Sequence, residues 1–134
     1  MLFENAHKTE IKCLNMTWDK KYLFSSDISG NLKQWKVDLE NKNFILSPKE
    51  IKPTKKINTC SIICMTVSLN SKLLYTGGDD KLLKQYSVGD NFKLLKNFEI
   101  LHSDWICFIS AEFLITDKNN NTFPCLFTVS DEGT

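Results

Sequence analysis

The sequence lacks a dominant charge. Its 17 basic residues, all lysines, stand against 16 aspartates and glutamates, a net of +1 over 134 residues. That balance excludes a general attraction to nucleic acid or an anionic membrane and leaves only a local patch open. There is no apolar run near the roughly 20 residues that a membrane-crossing helix needs. The start, Met1-Leu2-Phe3-Glu4-Asn5-Ala6-His7, has neither a basic n-region nor a long apolar h-region, so it is not read as a signal peptide. The cysteines, Cys13, Cys60, Cys64, Cys107 and Cys125, are odd in number. Without an export signal they read as free thiols in a reducing compartment, and the expected location is intracellular, in cytoplasm or nucleus. Glycine is scarce, at five residues. The segment Thr76-Gly77-Gly78-Asp79-Asp80 has no Gly-Lys-Ser/Thr ending and no helix pattern after it, so it is a turn and not a phosphate loop. Histidine is scarcer still: His7 and His102 are the two, and neither has partners at a metal-binding or catalytic spacing. Cys60-Ser61-Ile62-Ile63-Cys64 is not a zinc spacing. The expectation is no metal, no cofactor and no enzyme, because no nucleophile, base and orienting group can be assembled from named residues.

What is present is a repeat. Hydrophobic residues at 42% and charged residues at 25% are those of a globular protein. A shift of 51 positions lays His7–Val37 on Asn58–Val88 without a gap. Ile11 meets Ile62, Cys13 meets Cys64, Leu23 meets Leu74, Phe24 meets Tyr75, and Trp35 meets Tyr86. Strand-length apolar runs at Ile11–Met16, Tyr22–Ser25, Leu32–Val37 and Phe44-Ile45-Leu46 predict four strands in the first unit. The second repeats them at Ser61–Val67, Leu73–Thr76, Leu82–Val88 and Phe92–Leu95. Between them lie polar turns, Trp18–Lys21 and Asp27–Asn31, where Gly30 and Asn31 tolerate positive φ. A third unit opens at His102, continues through Trp105–Ile109, is interrupted from Ala111 to Pro124, and resumes at Leu126-Phe127-Thr128. Four short strands per unit at this period is the mark of a propeller blade.

The residues at fixed places in the units resemble those of the WD40-repeat family. Ala6-His7 and Leu101-His102 resemble its opening Gly-His pair. Ser25-Ser26-Asp27, Thr76-Gly77-Gly78 and Thr128-Val129-Ser130 resemble its small-residue segment. Asp80 matches its turn Asp, while Trp35-Lys36 and Tyr86-Ser87 match its Trp-Asp ending. The resemblance implies an all-β fold of four-stranded antiparallel WD40-type β-propeller blades in an incomplete, open arc. The blades run from about 7 to 47, from about 58 to 96 and, incomplete, from about 102 to 134. The structural positions it implies are His7, Ser25, Trp35, Thr76, Asp80, Tyr86, His102, Thr128 and Glu132. Ser29 and Glu132 stand where the turn Asp is expected, and Asn58 where the second unit would have its His. The family's His, Ser/Thr, Asp and Trp hydrogen-bond network is therefore expected to be complete in no blade. Too few blades are present to close a ring, so completion by further residues or by other chains is expected.

The function that follows is a protein-interaction scaffold whose partners are peptides or protein domains. The turns Asp27–Asn31, Gly78–Lys81 and Ser130–Gly133 should share one end of the arc, beside Ser47–Lys56 and Ser103–Trp105. The candidate partner-binding face is Asp27, Asn31, Lys55, Lys56, Asp79, Lys81, Asp104, Trp105 and Asp131. The insertion Ala111–Pro124 should leave the other end. A rival use, nucleic-acid or phosphoinositide binding, would fall to Lys49, Lys52, Lys55 and Lys56, but no aromatic is interleaved there and a solvated loop is the preferred reading. A truncated gene product without a function of its own is the remaining alternative.

Overall fold

The computed structural model describes residues 6–38, 40, 43–44, 49–51, 61–98 and 102–132. Every regular element among them is a strand. The first sheet opens with β1 (Ile11–Met16), β2 (Tyr22–Asp27) and β3 (Leu32–Asp38), an antiparallel meander. Both β4 (Asn43–Phe44) and β5 (Lys49–Ile51) then pair with β3. β4 lies on its far end, Val37 opposite Phe44, and β5 on its near end, Leu32 opposite Ile51.

Of the expected fourth strand at Phe44-Ile45-Leu46, Phe44 lies in β4 and the other two lie outside the described residues. The reading of Ser47–Lys56 as a segment between blades is corrected at Lys49–Ile51, which pairs with β3. The first sheet reaches Ile51, past the expected boundary at 47. Pro48, which has no N–H to give a ladder, stands in the sequence between the two short strands.

The second sheet is a plain four-stranded meander: β6 (Ile62–Val67), β7 (Leu73–Gly78), β8 (Leu83–Ser87) and β9 (Lys93–Phe98). The β1–β2 and β6–β7 turns are built alike, because equivalent side chains bond the same backbone groups. The Thr17 hydroxyl donates to the Asp19 carboxylate at 2.6 Å and accepts the Tyr22 N–H at 3.1 Å. The Ser68 hydroxyl is 2.7 Å from the Asn70 amide oxygen and accepts the Leu73 N–H at 3.0 Å. Lys20 and Ser71 both take φ of 60°.

In the third unit β10 (Ile106–Ile109) pairs with β13 (Thr128–Ser130), and the insertion between them is a hairpin of β11 (Phe113–Thr116) and β12 (Thr122–Cys125). The second strand thus begins at Thr128 and not at Leu126, because Ser130 is the residue opposite Ile106. The hairpin occupies the place of the Trp18–Lys21 and Leu69–Lys72 turns. The Leu69 N–H donates to the Glu112 carboxylate at 3.2 Å, which ties the insertion to that end of the arc.

The sheets stack face to face through two apolar clusters. Phe24 and Leu32 of the first sheet meet Ile62, Met65, Val67, Leu74 and Tyr86 of the second. Tyr75 and Leu83 of the second meet Ile106 and Ile109 of the third. Leu32, Leu74 and Ile106 are completely buried, and burying a side chain of that size contributes roughly 1.5–3 kcal/mol. Polar contacts fix the spacing. Asn15 donates its amide to the Met65 carbonyl at 3.2 Å, and the Gln34 amide grips both the N–H and the carbonyl of Gly89 at 2.8 and 2.9 Å. The arc stays open, and Ile11 and Phe108, on its two outer faces, are 44% and 55% exposed.

Candidate functional site

The end of the arc carrying the β2–β3 and β7–β8 turns gathers most of the singled-out residues, and it begins with a buried network. β2 ends in Ser25-Ser26-Asp27, which puts the Ser25 and Asp27 side chains on one side of the strand, two residues apart. His7 lies against both: Nε2 is 2.6 Å from the Ser25 hydroxyl and Nδ1 is 2.8 Å from the Asp27 carboxylate. Trp35, paired across the ladder from Leu23, donates its indole N–H to Ser25 Oγ at 2.9 Å. One donor order satisfies all four groups. The Trp35 N–H donates to Ser25, the Ser25 hydroxyl to His7 Nε2, and His7 Nδ1–H to Asp27.

Asp27 also accepts the backbone N–H groups of Ser29 and Asn31, each at 3.0 Å, and the Asn31 amide at 2.9 Å. Burial works to raise the Asp27 pKa, but the hydrogen bonds from Asn31 and His7 favour the charged form and hold it below the ordinary 3.8.

This corrects two expectations. The four-residue network is complete in the first sheet, with Asp27 and not the Ser29 position supplying the acid. Asp27 is also no surface residue: its exposure is 0%. The sequence signal was available in the spacing of Ser25, Asp27 and Asn31, but a gapless match placed the turn acid at Asp80 and its equivalent, Ser29.

The second sheet holds part of the same plan. Thr76 and Tyr86 occupy the places of Ser25 and Trp35 and are buried at 1% and 4% exposure; burial pushes the Tyr86 hydroxyl's pKa up. Gly78 stands where Asp27 does, and a Cβ there would lie 1.9 Å from the Ser61 carbonyl. Asp80 instead pairs with Lys84 and accepts the Leu82 N–H at 3.1 Å. Asn58 lies outside the described residues.

In the third sheet His102 Nε2 meets the Thr128 hydroxyl at 2.9 Å and Nδ1 lies 3.4 Å from the Glu132 carboxylate. Glu132 also accepts the Ser103 N–H at 3.0 Å. Ser130 fills the place of Asp27, so the acid comes from two residues further on and spans the gap with its longer side chain. Two histidines are thus clasped by acids from two different positions of the repeat.

Ser25, His7 and Asp27 have the distances of a nucleophile, base and orienting acid, which corrects the expectation that no such set can be assembled. The Ser25 residue is only 3% exposed and its oxygen already accepts the Trp35 N–H. A hydroxyl so placed pins a blade together. Among the described residues no three His, Cys, Asp or Glu side chains converge on a metal-sized site. No helix among them is long and apolar enough to cross a membrane. A cleft of about 390 Å³ is lined by His7, Lys8, Asp27, Asn31, Lys33 and Glu50. Its charges are largely spent on one another, since Lys33 meets the Ala6 carbonyl and lies 3.9 Å from Glu50.

On the turn end itself, Lys81 reaches across to the Ser103 carbonyl at 2.6 Å, and the Asp131 N–H donates to the Trp105 carbonyl at 3.1 Å. Trp105 and Asp131 are thereby neighbours, and Lys81 is held at Ser103, two residues before Trp105 in the sequence. Asp79 is exposed, Asn31 and Asp104 are half-buried, and Lys55 and Lys56 lie outside the described residues. Of the basic stretch, Lys49 lies in β5 with its ammonium on the Asp90 carbonyl, while Lys52, Lys55 and Lys56 lie outside the described residues.

Comparison with known proteins agrees with this geometry. The model of the family described as "WD domain, G-beta repeat" matches residues 51–87. No curated protein matches the chain significantly. Among solved structures, the one titled "Crystal structure of RRP9 WD40 repeats" aligns over 95% of this chain with a TM-score of 0.63 and 18% identity. The one titled "Structure of U3-55K" does so over 95% with a TM-score of 0.63 and 19% identity. The chain spans only 37% and 38% of those two structures' lengths. Residues 51–87 thus match a WD40 repeat, and the chain has the fold of part of a WD40-type β-propeller, an open arc of antiparallel sheets.

Proposed function

We propose that this chain is a non-enzymatic, intracellular protein-interaction scaffold that binds a peptide or domain at its turn end. The observation that carries the reading is the division of labour at that end. Asp27, Asp80 and Glu132 are engaged in holding their own sheets. Asp79, Trp105 and Asp131 face outward, with Trp105 41% exposed. A large aromatic ringed by polar groups is the composition of an interface hot spot. WD40 domains in general mediate protein–protein contacts, which supports the same choice. The absence of an aromatic beside the lysines, and the engagement of Lys49, favour protein over nucleic acid or phosphoinositide.

A photo-crosslinking residue at position 105, compared with one at Trp18 on the other end, tests the reading. A partner captured at 105 and not at 18, whose affinity falls about tenfold or more with Trp105→Ala, is the expected result. Equal capture at both positions, or an affinity indifferent to Trp105, contradicts it.

A further inference from the structure

The stretch that leads into the third sheet, Ser103-Asp104-Trp105, is held from several sides. The Asp131 N–H donates to the Trp105 carbonyl at 3.1 Å, as the Asp79 N–H does to the Ser61 carbonyl at 3.2 Å and the Ile28 N–H to the Glu10 carbonyl at 3.0 Å. One backbone bond thus recurs in all three sheets, and Trp105 stands where the others have Ser61 and Glu10. Beyond that shared bond, Ser103 is gripped on both sides. Its N–H donates to the Glu132 carboxylate at 3.0 Å, and its carbonyl accepts the Lys81 ammonium at 2.6 Å. The Asp104 carboxylate accepts the Trp105 N–H at 2.8 Å. Glu132 belongs to the third sheet's own turn. Lys81 does not: it reaches over from the β7–β8 turn of the second sheet.

Lys81 makes that contact from a strained backbone. Its φ is 64°, in the left-handed region that a side chain disfavours. The equivalent residue of the first sheet is Gly30, at φ 82°. The two turns close alike, the Lys81 N–H on the Gly78 carbonyl at 3.2 Å and the Gly30 N–H on the Asp27 carbonyl at 3.1 Å. In the sequence the third unit has Gly133 at the same place. Lys20 and Ser71 also take φ of 60°, but they are equivalent to each other, and neither stands in for a glycine of the other unit. Lysine therefore replaces glycine at one of three equivalent places, and there its ammonium meets the stretch that carries the exposed Trp105. A strained residue kept where glycine would relax the chain points to a role for its side chain.

We infer that Lys81 is a positioning residue for the turn-end surface: its ammonium fixes the Ser103 carbonyl, so that Trp105 is presented in one place before a partner arrives. The inference rests on the reading of Trp105 as a partner anchor and names what orders that anchor. A side chain ordered in advance loses less freedom on binding, which amounts to roughly twofold to tenfold in affinity. Glycine at position 81 would relax the turn and remove the tie. Stability of the turn and order at 103–105 are therefore set against each other, and that opposition separates a positioning role from a merely structural one.

Amide exchange and urea denaturation of the full chain test it. Lys81→Gly should keep or raise the urea midpoint while the Trp105 and Asp131 amides exchange about fivefold faster or more. Lys81→Met keeps the left-handed backbone and drops the ammonium, and it should speed the same amides. Lys81→Arg keeps a donor of similar reach and should leave them at the wild-type rate. So should Lys84→Met, which removes the neighbouring lysine paired with Asp80. Wild-type exchange in both Lys81→Gly and Lys81→Met, or a lowered midpoint in Lys81→Gly, would overturn the inference. A partner captured at position 105 should bind Lys81→Met roughly twofold to tenfold more weakly and Lys81→Arg as it binds wild type; equal affinity for Lys81→Met is the contrary result. Exchange is read without a partner, so failure here and failure of the turn-end reading are separately visible.

Discussion

At the scale of single residues, the two histidine clasps differ in burial and should differ in strength. The Asp27 carboxylate accepts four hydrogen bonds, from His7, Ser29 and two groups of Asn31, at full burial. Asp27→Ala leaves those donors unmatched, and chemical denaturation should show a loss of about 2–4 kcal/mol. Glu132→Ala, at an exposed turn, should cost less than about 1 kcal/mol. Because the folded chain holds the Asp27 pKa below 3.8, unfolding takes up a proton in acid. The stabilisation is fully present above that value and is lost as pH falls through the lower folded one. Urea midpoints measured between pH 7 and pH 2 should therefore fall more steeply for wild type than for Asp27→Asn. The cysteines give a second residue-level test. Burial, the largest cause, pushes Cys64 up to about 12, and it raises Cys13 as well. Cys107 is exposed. Since the thiolate is the reactive form, iodoacetamide at neutral pH should label Cys107 well before Cys64, and labelling of all three at one rate would contradict the packing described.

At the scale of elements, the sequence pattern was most legible where a strand alternates or a turn repeats. Ile11–Met16 was read to the residue, and the β2, β3 and second-sheet strands to within three residues at each end. What the pattern concealed has physical causes. β2 runs on to Asp27 because the ladder with β1 continues past the turn-like composition of Ser25-Ser26-Asp27 to the Ile11–Asp27 pair. The outer edge of the first sheet is two strands, β4 and β5, and neither is long enough to show a period. The inserted hairpin reads as a loop because Asp117–Thr122 is polar, yet the Asp117 side chain bonds the N–H groups of Asn119 and Asn121 at 2.8 and 2.9 Å and closes a turn between two short strands. The network acid was missed because a gapless repeat cannot show a role that passes from Asp27 in one unit to Glu132 in another. Elements also carry a prediction about their junctions. Gly77→Val inserts three carbons against Ile106 and should cost about 1–3 kcal/mol by overpacking. Its effect should concentrate on the third sheet. Tryptophan fluorescence from a Trp18→Phe/Trp35→Phe background should report Trp105 becoming more mobile while the second sheet's amides keep their exchange protection. Loss of protection throughout the second sheet would contradict the idea of a local joint.

At the scale of the whole molecule, the arc leaves two dissimilar faces uncovered. The outer face of the first sheet shows Ile11, Leu14 and Met16 at 44%, 64% and 38% exposure, where the equivalent Ile62, Met65 and Val67 lie buried at 9%, 9% and 3%. The outer face of the third shows Phe108, Phe127 and Val129. Apolar patches of this kind drive association, and blades in an array stabilise one another through their neighbours. Leu14→Lys with Phe127→Lys should therefore lower the concentration-dependent mass seen by light scattering while changing stability by no more than about 0.5 kcal/mol, the usual limit for exposed positions. The central claim is that three sheets follow one another by packing inner strand on inner strand, and methyl NMR of the full chain reads that contact most directly. A strong cross-peak is expected between the Ile106 γ2 methyl and the Gly77 α-protons, with methyl contacts joining Leu32 of the first sheet to Met65 or Leu74 of the second. Absence of the Ile106–Gly77 contact, or a helical pattern of amide cross-peaks anywhere from Ile11 to Val88, would contradict it.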